Sequence, residues 1–281
     1  MLLSIVLALG SAVSWGLGDF LGGFTSRRVP LLWVLLFTQV VGLVVALPIA
    51  VVHSRPAFDA PTVLAAMIAS LAGLVGIAGL YRAIALGVGS IAAPISATGA
   101  ALPVAFGLLR GEPTTTVQEL GMACALVGVI VASRTGEEQA HLGQAAKAGI
   151  GFAVLAAVGF GVFFVMIHQA SANDVFWAVS IQRATGSVAM AIVLLMVRPP
   201  FKITPRDAPW LFLVGTLDQT ANTLYGLAST VGLLSLSAVL ASLYPLVTVI
   251  LARFVLNERI SGVQKSGVAL AITGVALVAG R

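Results

Sequence analysis

Four charged residues stand inside long apolar runs of this 281-residue chain: Asp19, Arg82, Arg183 and Asp218. The other acidic and basic residues fall between the runs or close to their ends. A charge at a bilayer centre costs about 2.5–3.5 kcal/mol on insertion scales, so one that is kept there faces a partner or a wet cavity. The neighbouring side chains are of a kind that binds ligands and exchanges protons. Asp218, Asn222, Tyr225 and Ser229 are spaced four, three and four, which sets a carboxylate, an amide, a phenol and a hydroxyl on one helical face. Ser11, Trp15 and Asp19 are spaced by four and share a second face, while Tyr81 adjoins Arg82 in a third run.

Covalent chemistry has no comparable support. The chain has no H-E-x-x-H, no G-x-x-x-x-G-K-[ST] and no G-x-S-x-G, so neither an enzyme nor a cofactor or metal site is expected. The single Cys124 excludes an intramolecular disulfide. An intramembrane enzyme would need the aspartates to converge on a metal, although arginines lie at the same depths. A passive channel would leave the internal duplication described below unexplained.

The elements that must position these residues follow from composition. Charged residues make up 9% of the chain and hydrophobic ones 59%; a soluble domain carries roughly 25% charged residues. The chain therefore lacks the polar residues to cover a water-facing surface, and lipid is its main solvent. Its net charge of +5 is scattered between apolar runs, as at a membrane surface, and forms no stripe that would suit nucleic acid. The first 20 residues lack a basic n-region and a small-residue cleavage site, and are expected to be a retained span.

Breaks at charges, Pro and Gly leave ten segments of membrane-spanning length, at 3–23, 31–52, 62–86, 90–109, 116–133, 147–168, 175–197, 209–231, 234–254 and 262–280. They form two sets of five. A shift of 146 lays Glu112 on Glu258, Gln118 on Gln264, Gly121 on Gly267 and Gly128 on Gly274. A shift of 143 lays Gly16 on Gly159, Gly18 on Gly161 and Gln39 on Gln182, and one of 144 lays Tyr81 on Tyr225. Five is odd, so the second copy enters the membrane from the opposite side. The expected fold is all-α and integral to the membrane, with ten transmembrane helices as two inverted five-helix repeats, residues 1–135 and 145–281.

The stretches SWGLGDFLGG (14–23), GLLRGEPTTTVQELGMACALVGVIV (107–131) and SLYPLVTVILARFVLNERISGVQKSGVALAITGVAL (242–277) resemble the drug/metabolite transporter superfamily, in particular its EamA-type permeases. The resemblance covers essentially the whole chain. It implies a multi-pass permease of the bacterial cytoplasmic membrane that moves a small molecule by alternating access through a central cavity. The first copy departs from the pattern, with Gly99 where the second has Pro245 and Pro113 where it has Arg259. Its bend is accordingly expected at Pro94 or Pro103.

Counting along the helices at 1.5 Å per residue places Arg183 roughly 12 Å from one face and Asp218 roughly 14 Å from the other. In a core about 30 Å thick the two can meet near the midplane. Asp19 and Arg82 share a shallower depth and form a second possible pair. Asp218 is expected to take up a coupling proton or contact a substrate amine, with Arg183 holding a carboxylate or setting the charge of Asp218. Asn222 extends that site, and Trp15, Tyr81 and Tyr225 are expected to wall the cavity. Gln39 and Gln182 are expected to bond helices together, Glu112 and Glu258 to cap the helices that follow them or pair with a nearby Arg, and His168 to be solvated. Trp33, Trp177 and Trp210 suit membrane interfaces. The count of Lys and Arg puts both termini outside, whereas the resemblance implies termini inside. Neither the substrate nor the oligomeric state is legible.

Overall fold

The structure, a computed structural model, describes residues 1–55, 59–86, 92, 95–132, 144–255 and 262–279. Among the positions singled out above, Pro94, Glu258 and Arg259 lie outside the described residues. The described residues are helical throughout, joined by short turns and without strands. The first half supplies α1 (Leu2–Thr25), α2 (Leu31–His53), α3 (Ala60–Ala85), α4 (Ala101–Leu109) and α5 (Thr116–Ala132). The second supplies α6 (Gln144–Ser171), α7 (Val175–Val197), α8 (Ala208–Val231), α9 (Leu234–Ala241), α10 (Tyr244–Val255) and α11 (Gly262–Ala279).

Six of these helices are long and apolar enough to cross a membrane. The 24-residue α8 has the length, but its polar stripe lowers its hydropathy. The remaining segments are shorter apolar helices. One expected span is broken: α9 ends at Ala241, the hydroxyl of the next residue, Ser242, turns back to the Val239 carbonyl at 2.7 Å, and α10 starts at Tyr244. Pro245 has no N–H to continue the hydrogen-bond ladder, so it falls in the first turn of a new helix. In the first half the expected bend at Pro94 lies outside the described residues. A 3-10 turn at Thr98–Ala100 precedes α4, centred on Gly99, the residue that stands for Pro245. Pro103 lies inside the first turn of α4, a position where proline does not disturb a helix.

The order of packing is unchanged when the two halves are exchanged. α1 lies along α8 as α3 lies along α6, and α2 contacts α8 as α3 contacts α7. α2 packs on its own counterpart α7, and α5 on its counterpart α11. The α5–α11 seam also gives the relative direction of the copies. A Cβ added to Gly121 would lie 2.9 Å from the Gly274 carbonyl oxygen, and one added to Gly267 would lie 2.8 Å from the Gly128 carbonyl oxygen. Gly121 corresponds to Gly267 and Gly128 to Gly274, so equivalent strips cross antiparallel about a pseudo-two-fold axis. Only glycine lets two backbones approach so closely, and without a hydrophobic drive between helices in lipid such packing holds them together.

Along α1 and α8 the seam is polar. Ser4, Ser11 and Ser14 donate to the carbonyls of Ala228, Ala221 and Leu217 at 2.9, 2.8 and 2.8 Å. Ser11 is therefore spent on helix pairing. At the opposite surface from the chain start, Asp207 accepts from the Thr204 hydroxyl at 2.7 Å and from its N–H at 2.9 Å, just before α8 begins. These bonds hold the Asp207 carboxyl below its ordinary value of 3.8. A carboxyl with a lowered native value stabilises the fold above its unfolded value and loses that contribution as the pH falls through the native one. The melting temperature is therefore expected to drop on acidification below 3.8, and Asp207→Asn should reduce the drop when melting is followed against pH in detergent.

Glu112 departs from its expected role. It caps α9, in the other half, and not the helix that follows it in sequence: it accepts from Leu234 N–H at 2.6 Å and from Ser235 N–H at 3.1 Å and Ser235 Oγ at 2.5 Å. A carboxylate at a helix N-terminus satisfies orphan donors and complements the helix dipole. All eight residues of α9 are buried. His168 is half-buried near Glu112 and the Ser229 backbone, so it is not the solvated residue expected.

Candidate functional site

The polar centre is assembled from α1, α2, α7 and α8, two helices from each half. Arg183 stands two turns into α7 and is 1% exposed. Its side chain can enter the core because Gly42 faces it: a Cβ there would lie 2.9 Å from the Arg183 Cδ and Nε atoms. The guanidinium reaches three partners. Nη2 forms an ion pair with Asp218 Oδ2 at 2.6 Å, Nε donates to Gln219 Oε1 at 2.9 Å, and Nη1 donates to Gln39 Oε1 at 3.1 Å. A planar fork of fixed donors suits such a three-way bridge, which a lysine could not make.

Asp218 has a second partner. The indole Nε1 of Trp15 donates to its Oδ1 at 3.1 Å, so each carboxylate oxygen is engaged by a different helix. Its side chain nevertheless keeps 27% exposure. One turn further along α8, Asn222 donates through Nδ2 to the Asp218 backbone carbonyl at 2.7 Å. Its Oδ1 is buried with no partner among the described residues. Tyr225, a turn deeper, is 0% exposed and donates to the Phe164 carbonyl at 3.1 Å. It belongs to an apolar cluster with Phe163, Phe164 and Ile167, and so is core and not the cavity wall expected of it.

Asp19 lies one turn beyond Trp15 on the same face of α1. The lipid side of that helix is marked by the exposed Val6 and Val13. Trp15 points inward, with ring centroids 5.7 Å from Phe164, 6.1 Å from Tyr225 and 6.2 Å from Tyr244. Asp19 is exposed although it stands on this inward face. It makes no ion pair with Arg82 among the described residues. The charge that acts on it is that of Asp218, and Tyr81 and Tyr244 lie within electrostatic reach of it.

The expected Asp19–Arg82 pair fails for a reason of helical azimuth. On α3 the exposed residues Leu71, Val75 and Ala78 define the outer face, and Arg82 continues it at the next turn. Near a helix end such an arginine lays its stem along lipid and brings its head to the surface. Tyr81, turned by about 100° from it, faces inward with Asp19. Of the two glutamines matched across the halves, Gln39 joins helices through Arg183, while Gln182 Oε1 is buried without a partner among the described residues.

The model of the EamA-like transporter family matches the chain twice, over residues 2–134 and 147–280. The chain belongs to the EamA-like transporter family. It is a multi-pass integral membrane protein of a family of drug/metabolite-type transporters, not of enzymes. It is also 29% identical over 133 residues to the uncharacterized protein MJ1333.1 of Methanocaldococcus jannaschii, a match that spans 96% of that protein and 46% of this chain. A solved crystal structure superposes with a TM-score of 0.81 at 17% identity, covering 98% of this chain and 95% of the other. Within this EamA-like fold the two matched units contribute unlike side chains to one centre: Trp15, Asp19, Gln39 and Tyr81 from the first, Arg183, Asp218, Gln219, Asn222 and Tyr244 from the second. Gln219 and Tyr244 were not expected there. Gln219 adjoins Asp218 but lies off its stripe, and Tyr244 adjoins the proline that marks the helix break.

Proposed function

We propose that the chain is a secondary carrier of a small molecule, built as two inverted five-helix repeats, residues 1–135 and 145–281, that cross the bilayer ten times. Substrate enters a chamber between the halves near the midplane and is released on the other side as the halves exchange conformations. The observation that carries this reading is the Arg183–Asp218 ion pair, held at 2.6 Å where helices of both halves converge, with Asp218 still partly exposed. A buried charge network facing interior space marks a transport path in a membrane protein. The half-length M. jannaschii relative supports the duplicated plan. The wholly buried α9, capped by Glu112, supports a gate at the end at which the chain begins.

Cysteine labelling tests alternating access without knowledge of the substrate. Cys124 is replaced by alanine and Tyr244 by cysteine, and oriented membranes are treated with an impermeant maleimide from either face. A carrier reacts from each face in turn, and a cross-link that locks one end abolishes reaction from that end only. Reaction from both faces with either end locked would replace the carrier by a channel. No reaction from either face would remove the chamber.

A further inference from the structure

The chemistry of the chamber specifies its ligand more narrowly than the carrier reading does. Its one buried cation among the described residues is already committed. Arg183 is 1% exposed and divides its guanidinium among Asp218, Gln219 and Gln39. The Trp15 N–H is given to Asp218, the Gln219 amide to Thr223 Oγ1 at 3.1 Å, and the Tyr225 hydroxyl to the Phe164 carbonyl. A ligand carboxylate would have to displace one of these bonds to find a positive charge, and Arg82 stands on the outer face.

The acceptors, by contrast, are free. Asp19 is exposed on the inward face and has neither an ion pair nor a hydrogen bond among the described residues. Asn222 Oδ1 is buried with no partner, in a residue only 2% exposed, one turn from Asp218 on the same face. Arg183 pairs with Asp218, so Asp19 is left as a carboxyl that no cation pairs among the described residues. Its surroundings are aromatic: Tyr81 and Tyr244 lie within electrostatic reach, and Tyr244 stands edge-on to Trp15 at 6.2 Å. A cation with N–H donors matches every one of these features. It pairs with the carboxylate and satisfies the amide oxygen, and aromatic rings near such a cation attract it more strongly out of water.

Resting on the carrier reading, we propose that the transported ligand is a small protonated amine, held by its ammonium group on Asp19 between Tyr81 and Tyr244. A molecule whose only charge is a carboxylate is rejected, because among the described residues the chamber offers it no free cation.

The test is calorimetric binding to the full chain in nanodiscs at neutral pH. The probes are methylammonium, 2-phenylethylammonium and a linear diammonium, with 3-phenylpropionate and 3-phenylpropanol as the anionic and neutral comparators. At least one amine is expected to bind about tenfold or more tightly than both comparators, a difference of about 1.4 kcal/mol. Asp19→Asn should remove that preference with its melting temperature unchanged. Tyr244→Leu, which removes the ring, should weaken amine binding several-fold. Binding of no amine, equal binding by Asp19→Asn, or a preference for the carboxylate would overturn the proposal. Because cysteine labelling of the chamber uses no ligand, it shows separately whether the carrier reading stands when the amine fails.

Discussion

Arg183→Met is expected to destabilise the protein by roughly 3–5 kcal/mol, the cost of breaking a buried charge network from one side. The loss is large because three acceptors are stranded at once: Asp218 Oδ2, Gln219 Oε1 and Gln39 Oε1. A buried acceptor without a donor costs about 1–3 kcal/mol, more when it is charged. The double variant Arg183→Met with Asp218→Asn removes the stranded charge and should recover much of the loss. Reversible unfolding in mixed micelles measures both variants, and their non-additivity isolates the pair. Arg183→Lys should fall nearer to methionine than to arginine, because one ammonium cannot span three partners on two helices. A single Arg183→Met variant within about 1 kcal/mol of the native chain would mean that the network is solvated.

The second large effect lies far from the site. Gly128→Leu should prevent α5 and α11 from closing, since its Cβ would meet the Ala271 backbone, 2.7 Å from Cα. Overpacking against backbone costs about 1–3 kcal/mol or more, because backbone cannot rotate out of the way as a side chain can. Gly23→Leu is the control, as a Cβ there meets nothing within 4 Å. Melting temperatures of the two variants in the same detergent are expected to diverge by several degrees, consistent with about 2–4 °C per kcal/mol at this chain length. Equal melting would mean that the seam yields by sliding.

What could be read from residues alone follows from which coordinates a sequence encodes. Depth is encoded, because helical rise is constant: Arg183 and Asp218 were counted to the same level, and they meet there. Azimuth is encoded only in part. The shared depth of Asp19 and Arg82 suggested a pair, but Arg82 falls in line with Leu71, Val75 and Ala78 on the outer face. Tyr225 shares a face with Asp218, yet it lies further in, against Phe164, where no cavity reaches it. Partners between halves were not legible at all. Nothing local to Glu112 reveals that it caps α9, 122 residues away, because a carboxylate before a helix reads as a cap for the nearest one. The two sets of five were visible because glycines recur at fixed offsets. The offsets record a backbone approach, and the approach is what the seam uses.

The α5–α11 seam presents the same glycines from both sides. Two unlinked copies of one half would meet across it as a homodimer, and every side chain near the axis would then occur twice. A single guanidinium facing a single carboxylate would be impossible: such a dimer would hold two of each in one chamber, or none. Here the positions equivalent to Arg183 and Asp218 are Val40 and Leu74. Joining the halves in one polypeptide is what lets the centre set one guanidinium against one carboxylate.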